Sequence, residues 1–310
     1  MIEAMRAATE ARLLLGLAIL AFGHGAQGQD LSKVEIATTE LGGGLYMLTG
    51  AGGNIGVSIG PDGVFLVDDQ FAPLTPKIEA AVAALTPEPV RFVINTHWHG
   101  DHTGGNENLA GAGALIVAHE SVRTRMSTEQ FMAAFDRRVP PSPESALPVV
   151  TFDSSIGFHL NGSEIKAVHL DPSHTDGDAI VHFRDANVIH TGDTFLNGMY
   201  PFTDLSSGGD FEGFIAAAEA LLARSDASTK IIPGHGPLAT RADLVAFRDM
   251  LVTVRDAVRR QIQAGVSRGD VIAARPTAAL DARFGGGSMK PDRFVGIVYD
   301  SLSAAAETSR

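Results

Sequence analysis

The stretch His97-Trp98-His99-Gly100-Asp101-His102 constrains this chain more than any other part of it. Three imidazoles and a carboxylate fall within six residues, in a sequence of 310 that holds only 11 histidines. Histidine nitrogen and carboxylate oxygen are the donors that suit zinc and related divalent cations. In a helical H-E-x-x-H pattern the ligands lie one turn apart on one face. Here they adjoin or alternate, directly after the apolar run Val90 to Ile94. That context predicts a loop at the C-terminal end of a strand. Such a loop aims neighbouring side chains at two points, so the spacing predicts two metal positions.

The rest of the chain is suited to a single large core. Hydrophobic residues make up 45% and charged residues 19%, which are globular values. The charge is −12 (24 basic against 36 acidic residues), and no basic patch offers itself to phosphates, which excludes nucleic acid as a partner. There is no cysteine, hence no disulfide, no thiolate ligand and no cysteine nucleophile. At the N-terminus, Arg6 and Arg12 precede an apolar run from Leu13 to Phe22 and then the small residues up to Gly28. This reads as a signal peptide over 1–28, cleaved after Gly28, with the periplasm as destination. An uncleaved membrane anchor is the competing reading, and the shortness of the apolar run argues against it. No later segment has the ~18 apolar residues of a membrane span, so no membrane contact is expected after cleavage. The mature part, 29–310, is read as one domain, with a core of about 34–265 and a C-terminal extension over 266–310.

Residues 34–69 look like a β-meander with Gly-rich turns, followed by a helix over 74–85 and a strand over 90–95. A helix–strand pair is expected over 105–118. In 120–148, Met126, Phe131, Met132 and Phe135 recur at roughly helical spacing before Pro140-Pro141-Ser142-Pro143, so this is either a surface helix with its linker or a wall over the site. Strands are expected at 149–152, 164–170, 179–184, 187–191 and 229–232, and helices at 211–223 and 241–264. The Gly285-Gly286-Gly287 region reads as a loop leading to a terminal helix on the surface. Strands, then helix–strand units, then strands and helices again imply two sheets with helices outside.

Three further candidates stand just after predicted strands, each next to glycine: His174 in Ser173-His174-Thr175-Asp176-Gly177, Asp193 in Thr191-Gly192-Asp193-Thr194, and His235 in Pro233-Gly234-His235-Gly236. Together with the opening motif, this ordered set resembles the metallo-β-lactamase superfamily of binuclear metallohydrolases, over roughly residues 45–240. The resemblance implies an α+β fold, the αβ/βα four-layer sandwich, with the site at one edge of the two sheets. It implies that His97, His99 and His174 hold one metal, that Asp101, His102 and His235 hold the second, and that Asp193 bridges them. The implied cofactors are two Zn²⁺ per chain, with Fe or Mn as substitutes. The implied reaction is attack of a metal-bridging hydroxide on a carbonyl of a small-molecule substrate (β-lactam or other cyclic amide, lactone or thioester), with Asp101 as the catalytic residue orienting the hydroxide. A carboxylate at Asp193 is similar to the glyoxalase II-like branches rather than to the best-known β-lactam hydrolases. The alternatives are an iron-dependent persulfide dioxygenase-like oxidoreductase and a low-turnover metal-binding accessory protein.

Around this set, Asp68 is either a support for a ligand imidazole or a turn cap. Trp98, the only tryptophan, is expected to pack under the metal loop, and Tyr200, Phe202 and the turn 50–53 are candidate pocket walls. His119, His159, His169, His182 and His190 read as structural or surface residues, His190 being closest in sequence to a ligand, Asp193.

Overall fold

The computed structural model describes residues 30–308; the signal-peptide reading of 1–28 lies outside the described residues. Six strands open the chain: β1 (Ala37–Gly42), β2 (Leu45–Thr49), β3 (Ile55–Gly60), β4 (Gly63–Val67), β5 (Val90–Asn95) and β6 (Leu115–His119). A separate hairpin of β7 (Gln130–Met132) and β8 (Arg137–Val139) follows, and β9 (Val150–Phe152) then returns to the edge of the first sheet, whose order is β1-β2-β3-β4-β5-β6-β9. The second sheet is β10 (Ser155–Leu160), β11 (Ser163–His169), β12 (Ala179–Phe183), β13 (Val188–His190), β14 (Lys230–Ile232) and β15 (Ala239–Thr240), in that order.

Strand alternation builds the layers. In β4, Val64 and Leu66 face an outer cluster with Ile78 and Val82 of helix α1 (Thr75–Ala83), while Phe65 and Val67 face the other sheet. In β12, Val181 and Phe183 answer them from the second sheet, while Ile180 points outward. There it meets helices α2 (Phe211–Arg224) and α3 (Arg241–Gln263), through Phe214, Phe247 and Val254 among others. Helix, sheet, sheet and helix thus stack as the expected four-layer sandwich, with period-2 burial on both faces of the central strands. Phe65 and Phe183 meet across the inter-sheet core edge to face, ring centres 6.4 Å apart.

Three segments differ from their sequence reading. The helix at the start of 120–148 stops at Met126, and residues 130–139 form the β7–β8 hairpin instead. Met126 and Met132 both bury against Trp98, so the apolar spacing that looked helical is divided between two elements facing one cluster. Residues 155–160 form an unexpected edge strand, whose Ile156, Phe158 and Leu160 alternate with exposed positions. The terminal helix Pro291–Thr308 is not merely superficial: Phe294, Val298 and Leu302 are buried in the same core as α2 and α3. Among the described residues, no helix is long and apolar enough to cross a membrane.

Candidate metal centre

β4, β5 and β6 run parallel, as do β13 and β14, and the candidate side chains follow the ends of strands in both sheets. His97 to His102 follow β5, His174 lies in the loop after β11, Asp193 follows β13, and His235 follows β14. All seven converge. His97, His99 and His174 present donor atoms within 4.8 Å of one another, and so do Asp101, His102 and His235; His97, His102 and Asp193 form a third such group. Asp193 spans the first two: its Oδ2 lies 3.6 Å from His174 Nε2, and its Oδ1 lies 3.2 Å from His102 Nε2 and 3.5 Å from His235 Nε2. His235 Nε2 in turn lies 3.3 Å from Asp101 Oδ2.

The outward ring nitrogens explain why these imidazoles point inward with lone pairs. His102 Nδ1 donates to Asp68 Oδ2 at 2.8 Å, His99 Nε2 to Asp204 Oδ2 at 3.0 Å, and His174 Nδ1 to the Phe202 carbonyl at 2.6 Å. His97 Nδ1 meets the Thr96 hydroxyl at 3.1 Å, and that hydroxyl donates to Asp68 Oδ2 at 2.8 Å. Each of these contacts fixes a tautomer and leaves the opposite nitrogen as an acceptor. Those acceptors then face one another, His99 Nδ1 and His174 Nε2 at 2.8 Å and His102 Nε2 and His235 Nε2 at 3.3 Å. Two nitrogens on one tetrahedral zinc at ~2.0–2.1 Å each would sit roughly 3.3 Å apart. Buried His97 Nε2 and Asp193 Oδ1 have no hydrogen-bond partner. Lone pairs and carboxylates converging in a buried space repel unless a cation lies among them, so the residues present fit divalent metals.

The electrostatics agree. Burial alone would lower the His102 pKa, but the Asp193 and Asp101 carboxylates outweigh it and hold the ring well above its ordinary value. His235 is likewise pushed up to about 10, against burial, by Asp193 and Asp101. His97, facing imidazoles, is held well below its ordinary value by burial and by the neighbouring His102 and His174. The cluster thus calls for positive charge.

Close backbone approach shapes the rim. A Cβ on Gly53 would lie 2.1 Å from His102 Cε1, and one on Gly234 would lie 2.0 Å from Asp193 Oδ1. Only glycine lets these two turns pack directly on the ligands. The 170–178 loop is held by Asp178, whose carboxylate accepts from Ser173 Oγ, Thr175 Oγ1 and the backbone N–H groups of His174 and Thr175.

A family model described as Metallo-beta-lactamase superfamily matches residues 48–235. This chain belongs to the metallo-beta-lactamase superfamily. The hydroxyacylglutathione hydrolase of Polaromonas sp. is 28% identical over 198 residues, 59% of this chain and 66% of that protein. That of Pelagibacter ubique is 27% identical over 150 residues, 47% of this chain and 52% of its own length. The chain thus spans between about half and two thirds of these curated relatives. Among solved structures, the metallo-beta-lactamase from Pontibacter korlensis superposes with a TM-score of 0.57 at 18% identity, covering 70% of this chain and 99% of that one. The likeness is one of fold.

As a member of this superfamily, the chain carries all seven sequence-predicted ligand candidates in one cluster. Asp68 proves to be a support for His102, itself buried and held at a φ of 63°. Phe202 stacks on His99 with ring centres 6.0 Å apart, and Trp98 packs in the cluster beneath the loop. Tyr200 is a correction: it is buried away from the ligands, stacked on Phe294 at 4.5 Å and hydrogen-bonded to Asp281. Sequence reasoning missed Asp204 and Asp178. The first lies in an irregular stretch whose only signal is Asp204-Leu205-Ser206-Ser207, a run of residues that bond their own turn.

Proposed function

We propose that this protein is a binuclear metal-dependent hydrolase of a small carbonyl substrate, an amide, lactone or thioester. The observation that carries the reading is the position of Asp193, with one oxygen toward His174 and the other toward His102 and His235. His97, His99 and His174 would hold one ion, Asp101, His102 and His235 the other, and Asp193 both. Divalent cations bound there acidify water and polarise a carbonyl.

The chain's own residues supply the rest. The Asp101 side chain is 30% exposed and His235 25%, so substrate reaches the centre from their side. Asp101 stays ionised, because His102 and His235 outweigh burial and hold its carboxyl well below the usual range. An ionised carboxylate at that rim is placed to accept a hydrogen bond from a water molecule and so to orient it. Phe202 stacks on His99 and the buried Trp98 lies against the same ring, so aromatic side chains wall the cluster at His99. No side-chain nucleophile is required, in keeping with the lack of cysteine. The relatives named hydroxyacylglutathione hydrolase favour a thioester within this class. Export to the periplasm is part of the proposal and rests on residues 1–28; fractionation of cells expressing the full chain tests it.

The decisive experiment is metal analysis together with a substrate panel. We expect about two zinc per chain and metal-dependent hydrolysis of at least one of a thioester, a lactone and nitrocefin. Iron with oxygen consumption, or metal binding without turnover of any panel member, would displace the reading.

A further inference from the structure

The outer face of the second sheet is covered unevenly. Helices α2 and α3 pack with Ile180 and Ile189, and Val168 lies at the margin of that cluster, only partly buried. At this margin a groove of about 690 Å³ is lined by β11, β12, the start of β10 and the last residue of α2. That is room for a small molecule. None of the groove's lining residues belongs to the metal centre.

The side chains change character along the groove. Lys166 and His182 are cross-strand partners at one end, where Arg184 and Arg224 join them. Val168 and Ile180, the next cross-strand pair on that face, form an apolar middle. Asp153, His169 and Asp171 close the other end. No basic run marks this cluster in the sequence, because its members come from separate elements.

The basic end is only partly neutralised. Arg184 pairs with Glu164 at 3.6 Å, but Lys166 and Arg224 form no ion pair among the described residues, in a chain with 36 acidic residues against 24 basic. Arg224 bonds only the Ala220 carbonyl of its own helix, at 2.9 Å. The half-buried His182 ring has no hydrogen-bond partner among the described residues. Burial, and then the charges of Arg184 and Arg224, lower its pKa against the pull of Glu164. The groove is thus electropositive at that ring. Cations gathered at one end of a small groove repel one another unless an anion lies among them. A phosphoryl group carries about −1.5 to −2 charges near neutral pH and three acceptor oxygens. That charge matches the two unneutralised cations, and its oxygens suit a guanidinium fork. A long polyanion would run on into Asp153 and Asp171, so the groove selects a short one.

We infer that this groove is a binding site for a small phosphate monoester, with its phosphoryl group on Lys166, His182 and Arg224 and its apolar part on Val168 and Ile180. The site is separate from the metal centre, and the inference does not rest on the hydrolase reading.

The test uses the metal-loaded full chain at about pH 8 and benzylphosphonate, a phosphoryl anion with no ester bond to hydrolyse. NMR follows the His182 ring protons, assigned by their loss in His182→Gln. Benzylphosphonate should shift them saturably, inorganic phosphate should do so more weakly, and benzyl alcohol should leave them in place. K166Q and R224Q should each weaken benzylphosphonate several-fold, and together about tenfold or more. K33Q, which removes a cation beside Val34 in the outer layer of the first sheet, should keep the wild-type affinity. Binding that leaves His182 unmoved would belong to the metal centre and overturn the inference, as would losses in K33Q equal to those in R224Q. Tighter binding of citrate than of benzylphosphonate would assign the groove to a polycarboxylate and overturn the phosphate ester.

Discussion

The two ligand groups differ in their surroundings more than in their chemistry. His97, His99 and His174 are almost wholly buried, and the outer nitrogen of each is tied to a hydroxyl, a carboxylate or a carbonyl. In the other group only His102 is buried, while Asp101 and His235 stand partly open to solvent. The first group is therefore a preorganised cradle, whose donors cannot rotate away. The second has freedom on the side open to solvent. On the proposed function, a binuclear site divided in this way would retain one ion firmly and let the other side accommodate a reacting group.

Removing what the two groups share should have the largest effect. Asp193→Ala is expected to lower metal content from ~2 per chain toward zero and activity by ~10³-fold or more, with plasma emission and turnover as the measurements. Loss of only one ion would mean that the carboxylate serves a single group. Next in size, His235→Ala should leave about one metal per chain and cost ~10²-fold in turnover. Retention of both ions would erase the distinction between an open and a closed group. Asp204→Asn acts on the closed group alone, by weakening the bond that orients His99, and should reduce metal affinity or activity by ~10–100-fold. Competition with a chelating dye measures it, and an unchanged affinity would show that burial, not Asp204, fixes that ring.

The smallest effect concerns His190, beside the centre yet outside it. Its Nε2 donates to the Asn54 carbonyl at 2.9 Å and its Nδ1 accepts from the Gly192 N–H at 3.2 Å, so the neutral ring is fully partnered. Burial, aided by the charge of His102, holds its pKa below 6.5 against Asp68 and Asn54. The folded state thus binds fewer protons than the unfolded one between that lowered pKa and 6.5. Its contribution to stability is complete above pH 6.5 and is lost as pH falls through the window. Urea unfolding from pH 7.5 to 5 should show a shallower acid loss for His190→Gln than for wild type, both metal-loaded. Parallel curves would remove the residue from the acid response.

The residues that converge at the candidate centre were legible in the sequence because each is local chemistry at a strand end, and glycines marked the turns that carry them. Asp68 was legible as one of two possibilities, and contact with His102 decided between them. Asp204 was not, because it meets His99 from 105 residues away and its own neighbourhood shows only turn chemistry. The four layers followed from the order of strands and helices. The β7–β8 hairpin was hidden because Met126 and Met132 fill one cluster from different elements, and a periodicity cannot show that. The depth of the terminal helix was not legible, because its apolar face becomes a core residue set only once α2 and α3 are in place.

The distribution of the seven ligands along the chain has a mechanical consequence. Four come from the first sheet's half of the sequence, up to His102, and three from the second sheet's half, from His174 onward. Ions held as proposed would therefore cross-link the two halves of the sandwich at one edge. In a protein with no cysteine to make a disulfide, that edge is where metal coordination would add long-range bonding to the fold. Ions that bind the native state and not the unfolded chain add RT ln(1 + [L]/Kd), about 4 kcal/mol at a thousandfold excess over Kd. On this reading the metals would be a seam as well as a reagent, and stripping them should loosen the union of the two sheets as well as stop the proposed hydrolysis.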